Sequence, residues 1–387
     1  MLGIVLALAV VQLPAQTPAA PFAAETFDPI VLGGIHRGAY PGAVLLVGRR
    51  DTVLYAKGYG HFTWSARSPL DRPDSTIFDL ASLSKPIATT TALMLLVDRG
   101  RVQLDAPVAT YLPDFHAPGT GTITLRMLLT HTSGLRADLP TAQLRSLRTR
   151  ADLLRAVYAE SPRLPPESRV VYSDLNAVLL GEIVARRSGE PLDRFVAREV
   201  FQPLAMRDAR YRPPSGERPR IAPTGIWHGH PVAGDVNDPT AAKLGGVSGN
   251  AGVFATGWDL ARFAQFLLRG GTLADGTRLV KEETIRLFTT RSPQADVGPD
   301  HRALGWQAVP TDETISSAGS LFGPRSFGHT GWTGTSLWID PDRDLFVILL
   351  TNRAFAPRSR RSFSVLKQVR GLVADAAARA NDLARPH

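Results

Sequence analysis

The sequence predicts an α+β fold. An antiparallel sheet built from strands at both ends of the chain is flanked by helices and carries an inserted all-helical lobe. Three observations predict it. Near the N-terminus two apolar runs, GAVLLVGRRDTVLYAKGYG, surround the polar turn Gly48-Arg49-Arg50-Asp51 and read as a hairpin. A matching hairpin lies near the C-terminus, where TSLWID and LFVILLTN are joined by Pro341-Asp342-Arg343-Asp344. Between them most of the sequence has helical spacing broken by Pro/Gly loops. Strands at the two ends with helices between them form one sheet when the termini meet. On this reading residues 1–20 precede a single domain, 21–387. Its sheet lobe spans about 30–80 and 300–385, and its helical and loop lobe about 81–300.

Each element follows from local signals. LGIVLALAVVQL, followed by the small residues of PAQTPAA, has the form of a secretory signal segment, although the expected positive start is missing. The alternative is a segment of the core. If the segment is a signal, the protein is exported. No later stretch is long and apolar enough to cross a membrane. SLSKPIATTTALMLLVDRG reads as one helix ending at Arg99-Gly100, DLNAVLLGEIVARRSG as a second and WDLARFAQFLLRGG as a third. A helical tail runs from about Ser362 to Leu383. Tyr211 to Gly246 is rich in Pro and Gly and reads as long loops, suited to the rim of a site.

Composition narrows the chemistry. The chain is 44% hydrophobic and 20% charged, ordinary for a globular protein. Its net charge is +9, but the arginines are scattered and form no stripe with interleaved aromatics, which argues against nucleic acid. The absence of cysteine excludes disulfides, thiolate catalysis and Cys-ligated metal. His228, His230, Asp235 and Asp238 lie in the loop region without a recognised ligand spacing, so no metal or other cofactor is expected. No G-x-S-x-G elbow is present.

One of only five lysines in the chain stands in ASLSKP, three residues after Ser82. Arginine keeps its proton at any usable pH, whereas lysine can be made to release it. A spacing of three places Ser82 and Lys85 about one turn apart on the same helix face. Pro86 marks the first turn, where the helix dipole favours a developing alkoxide and disfavours an ammonium. Making such a lysine neutral near pH 7 costs about 4 kcal/mol, to be supplied by burial and neighbouring cations.

With these motifs in hand, the chain resembles the serine β-lactamase and penicillin-binding protein superfamily, in its class C β-lactamase-like branch. That branch also holds D-Ala-D-Ala carboxypeptidases and β-lactamase-fold esterases. The likeness covers nearly all of residues 30–355 and rests on several motifs in order. FDLASLSKPIATTTALMLLVDRGRVQLDAPVATYLPDF resembles the nucleophile helix and the loop after it. ITLRMLLTHTSGL resembles a stretch leading toward the site, and VVYSDLNAVLLGEIV the second motif, Y-x-N. GNAGVFATGWDLARFAQFLL resembles the helix returning the chain to the sheet. FGHTGWTGTSLWIDP resembles the third motif and its strand.

The resemblance implies roles. Ser82 would be the nucleophile, Lys85 its partner in proton transfer, and Tyr172 the general base that later activates water. A tyrosine serving near pH 7 needs cations beside it. Asp174 stands where the family often has asparagine. Beside Lys85 it would favour the charged lysine and move the base role to Tyr172; alternatively it caps the helix it begins. His329-Thr330-Gly331 replaces Lys-Thr-Gly, so a fixed cation becomes a titratable one, and carboxylate binding should weaken above about pH 6.5. The backbone amides of Trp332 and Ser82 would hold the oxyanion. Asn250, in GNAG, is expected to line the rim and touch substrate. His131-Thr132-Ser133-Gly134 looks like the third motif, but no apolar strand follows it, so it reads as a structural loop.

The expected activity is serine hydrolysis through an acyl-enzyme, on a D-Ala-D-Ala peptide from cell-wall material or a β-lactam. Two alternatives stay open: a carboxylesterase on the same fold, and a non-catalytic penicillin-binding or wall-fragment sensor. The expected partner is a small-molecule or peptidoglycan-derived substrate.

Overall fold

The computed structural model describes residues 22–298, 300–310, 316–356 and 363–384, with the side chain of Trp227 excepted. The apolar run read as a signal segment lies outside these residues. Seven strands make the main sheet: β1 (Gly42–Arg49), β2 (Thr52–Gly60), β3 (Arg302–Ala303), β4 (Trp306–Ala308), β5 (Phe327–Thr330), β6 (Ser336–Asp340) and β7 (Leu345–Thr351). Their order is β2-β1-β7-β6-β5-β4-β3, and every neighbouring pair is antiparallel. The two ends of the chain meet where β1 pairs with β7, from Ala43 opposite Thr351 to Gly48 opposite Phe346.

The β1 sequence is apolar at nearly every position because both faces of the sheet are covered. Ala43, Leu45 and Val47 pack into one core with Phe27, Val31, Val369 and Val373. Val44 and Leu46 point the other way, into the larger core that extends through the helical lobe. The principal helices are α1 (Ala24–His36), α2 (Thr91–Asp98), α3 (Asp174–Ser188), α4 (Gly257–Leu268) and α5 (Phe363–Leu383). α1 and α5 cover the first face and α4 the second. Full burial of each such aliphatic side chain is worth about 1.5–3 kcal/mol, so alternate β1 residues anchor the sheet to two separate layers.

Local signals set the helix ends. The box formed by Thr256 and Asp259 starts α4, and Gly189, with φ +81°, ends α3. The segment after Asp79 departs from the single helix that its spacing predicts. It opens as a 3₁₀ turn, Ala81–Leu83, winds through a wide π stretch, Lys85–Thr90, and tightens into α2. The dihedrals stay αR through Ser84 and Thr90, so the rod is continuous but changes pitch. Pro86 has no N–H to close an ordinary turn, and the Thr91 hydroxyl donates to its carbonyl at 2.8 Å. The loops from Tyr211 to Gly246 contain a small ribbon, Gly225–Trp227 with His230–Val232, and a short helix, Pro239–Lys243.

Candidate active site

A cleft of about 590 Å³ lies beside the start of the segment that bears Ser82, bordered by Ser82, Tyr172, Asp174, Arg302, His329 and Trp332. Ser82 sits just after Ala81, whose φ of +47° is rarely adopted by a side chain other than Asn, Asp or His. Buried Asp79 holds that turn, its carboxylate accepting from the amides of Ala81 at 2.9 Å and Asn237 at 2.8 Å. Burial pushes Asp79 up to about 6.

Lys85 is 4% exposed, and its ammonium contacts three oxygens, two by hydrogen bonds and one as an ion pair. They are Ser82 Oγ at 2.9 Å, the Asn250 carbonyl at 3.1 Å and Asp174 Oδ1 at 2.6 Å. Burial alone would drive the ammonium toward neutrality, but the Asp174 carboxylate and the Tyr172 phenol outweigh it and hold its pKa above the usual value. Lys85 is therefore a fixed cation touching the serine. Asp174 does not cap α3. That place belongs to Ser173, whose Oγ accepts from the Asn176 amide at 3.3 Å, leaving Asp174 for the lysine. Two further carboxylates border the same cleft. Asp138 is pushed up to about 6, first by burial and then by Asp174 and Asp238, and Asp238 is raised by burial and by Asp174.

Tyr172 packs among cations and imidazoles. Lys85 Nζ lies 4.9 Å and the Arg302 guanidinium 5.1 Å from its ring centre. The rings of His131 and His329 are 4.6 Å and 5.9 Å away. Its hydroxyl is buried on the side of Lys85, whose charge it helps to hold. Tyr172 is thus the side chain on which Lys85, Arg302 and both imidazoles converge.

The segment 330–335 is registered against the backbone just before Ser82 by hydroxyls. Thr333 donates to the Asp79 carbonyl at 2.7 Å and Thr335 to the Leu80 carbonyl at 2.9 Å. Gly331 must be glycine, since a β-carbon there would strike the Leu80 carbonyl and the Thr335 hydroxyl. From behind, buried Arg370 of α5 donates to the Thr335 carbonyl at 2.8 Å, and Arg353 to the Trp332 carbonyl at 2.9 Å. Thr330, Gly331 and Trp332 all border the cleft, and the Trp332 ring is 42% exposed.

Two expectations change. His329 is 3% exposed, and its Nδ1 donates to the Thr330 carbonyl at 2.9 Å. Burial, Arg302 and Lys85 hold it well below the usual imidazole value, so it is neutral at pH 7 and not a titrating carboxylate anchor. The cation on that side is Arg302, itself buried and paired with Asp300. Asn250 is fully buried. Its side chain meets Ser248 and Asp238, and its carbonyl accepts from Lys85. Arg302 was not readable because it is a single arginine in HRALGW with no motif around it. His131, set aside as a loop, lies against the tyrosine.

Comparison with known proteins shows the family and the fold. The family model described as Beta-lactamase matches residues 26–369. A protein of Escherichia coli (strain K12) called putative D-alanyl-D-alanine carboxypeptidase is 32% identical over 351 residues, 82% of this chain and 80% of its own length. Among solved structures, EstCE1, described as a hydrolase with promiscuous acyltransferase activity, superposes with a TM-score of 0.73 at 23% identity. The match covers 92% of this chain and 98% of that one. A family VIII carboxylesterase gives a TM-score of 0.70 at 22% identity, covering 94% and 98%. The chain belongs to the Beta-lactamase family and has the fold of its hydrolases.

Proposed function

We propose that the protein is an exported serine hydrolase that releases D-alanine from D-Ala-D-Ala peptides through an acyl-enzyme on Ser82. The observation that carries the chemistry is the contact of Ser82 Oγ with a fixed lysine cation that also faces the Tyr172 ring. Ionised Tyr172 takes the Ser82 proton as Oγ bonds to the carbonyl carbon. The backbone amides of Ser82 and Trp332 hold the resulting oxyanion, a contribution of about 10²- to 10³-fold per donor. The tyrosine then gives the proton to the departing amine as the C–N bond breaks. Water, deprotonated by Tyr172, attacks the acyl carbon, and Ser82 leaves with the proton.

Arg302 supports a substrate ending in a carboxylate, because a guanidinium beside the cleft matches that group in charge and planar geometry. The name of the Escherichia coli relative supports the same class. A second reading, a carboxylesterase, is favoured by Asp174 in place of asparagine and by the esterase among the structural neighbours. Purified protein assayed with a D-Ala-D-Ala peptide, a chromogenic cephalosporin and a short-chain nitrophenyl ester separates them. Release of D-alanine is expected. Turnover of the ester alone overturns the peptidase reading.

A further inference from the structure

The loop that begins His131-Thr132-Ser133-Gly134 and runs to Ala137 makes an unusual set of bonds to one neighbour. The His131 carbonyl accepts from the Val171 amide at 2.8 Å, and the Ala137 carbonyl from the Asp174 amide at 2.8 Å. The Arg136 carbonyl accepts from the Ser173 hydroxyl at 2.7 Å, and the Ser133 hydroxyl donates to Asn176 Oδ1 at 2.7 Å. At the centre, His131 Nδ1 accepts from the Ser173 amide at 3.1 Å. The loop thus grips the stretch from Val171 to Asn176 residue by residue. His131 itself is buried at φ +59°, a conformation that only a few side-chain types adopt readily.

The gripped amide lies between the two side chains whose placement matters most. Ser173 is extended, with φ −130° and ψ 122°. In extended backbone the residues on either side of one position project to the same face. Tyr172 and Asp174 accordingly both reach Lys85. Any rotation of the Ser173 peptide swings them together.

We infer that the His131–Ala137 loop is a template for the second motif, and that His131 is a positioning residue. Its Nδ1 fixes the Ser173 amide, and its ring, 4.6 Å from that of Tyr172, sets the plane of the phenol. The inference rests on the reading of Tyr172 as the proton carrier. Misplacing such a group lowers the rate of the chemical step more than it lowers binding.

The test is the rate of covalent labelling of Ser82 by a fluorophosphonate probe, separated into a maximal rate and a half-saturating concentration, with thermal melting as a check on folding. His131→Ala should lower the maximal rate at least about ten-fold and leave half-saturation within about two-fold. His131→Asn places Oδ1 where Nδ1 stood and tolerates positive φ, so it should restore the rate to within about three-fold of the parent. In a Tyr172→Phe background His131→Ala should cost less than about two-fold more, because the partner it positions is gone. The inference is overturned by an undiminished rate in His131→Ala, by His131→Asn as slow as His131→Ala, or by full additivity with Tyr172→Phe. Should His131→Ala fail to fold, His131→Leu against His131→Asn asks the same question with side chains of one shape, with and without the acceptor. If Tyr172→Phe alone labels as fast as the parent, the reading of Tyr172 falls independently of the loop.

Discussion

Two stretches of this chain begin His-Thr, and both place their imidazole against Tyr172. In the His131 loop Nδ1 accepts from an amide; in β5 the Nδ1 of His329 donates to a carbonyl. An amide N–H can only donate and a carbonyl can only accept, so the neutral rings are opposite tautomers. His131 carries its proton on Nε2 and His329 on Nδ1. Burial, Arg302 and Lys85 keep both rings well below the ordinary imidazole range. Protonation would nevertheless affect them differently. It abolishes the acceptor that His131 offers Ser173, whereas His329 keeps its bond to Thr330. Similar letters therefore encode a clamp that requires neutrality in one place and a packed strand residue in the other.

The comparison can be broken most severely at the residue both rings touch. Tyr172→Phe should lower kcat by about 10²-fold or more with KM little changed, the range expected for loss of a general base. Steady-state kinetics on the best substrate checks it, and an unchanged kcat removes Tyr172 from the mechanism. Next in size is Arg302→Ala, which should raise KM for a peptide ending in a carboxylate by about ten-fold or more and spare a neutral ester, since charged hydrogen bonds contribute about 1.5–3 kcal/mol. Equal effects on the two substrates would remove Arg302 from carboxylate binding. In the same variant both imidazoles should titrate at higher pH by NMR, because one of the cations depressing them is gone.

A third prediction separates the histidines by pH. Each has a folded pKa below its unfolded value of about 6.5, so below that pH the unfolded chain binds more protons and stability falls as pH falls. The expected slope is about 1.4 kcal/mol per pH unit for each ring. Asp79 and Asp138, raised to about 6, act in the opposite sense between about 4 and 6. The measurement is therefore a difference. Urea unfolding of the parent and His131→Asn at pH 5 and pH 7 should show the variant losing less stability on acidification, and equal losses would mean that His131 is not held neutral. Above pH 6.5, KM for the carboxylate substrate should stay flat, since His329 is already uncharged. The smallest effect is expected at Trp332→Ala. The oxyanion donor proposed there is a backbone amide that the substitution retains, so kcat should change by less than about three-fold. A drop of 10²-fold would show that the indole itself acts.

The terminal hairpins were legible in the sequence because alternation of turn residues and apolar runs is a local signal, and α3 and α4 because helical spacing is local too. The pairing of β1 with β7 followed only from the rule that sheets close across chain ends. Ser82 and Lys85 were visible as a tetrad, but the state of the lysine was not. It depends on Asp174, 89 residues later, and on the fact that Ser173 takes the cap. Arg302 and His131 lacked any local pattern, and their significance arises only where distant segments meet on Tyr172. The charge state of His329 was hidden for the same reason: its burial and the two nearby cations belong to the folded environment, not to the tripeptide.

The guanidinium of Arg370 in the last helix holds the carbonyl of Thr335, and β7 supplies the partner for β1. This makes assembly of the catalytic cleft a late event in synthesis. The segment bearing Ser82 leaves the ribosome early, yet β1 must wait for roughly three hundred further residues, tens of seconds at about 5–20 residues per second. A nascent chain of this kind carries Ser82 long before the segments around Tyr172 and His329 that border the same cleft. A prematurely terminated product therefore holds the serine without its cleft, and an exposed strand edge for quality control to find.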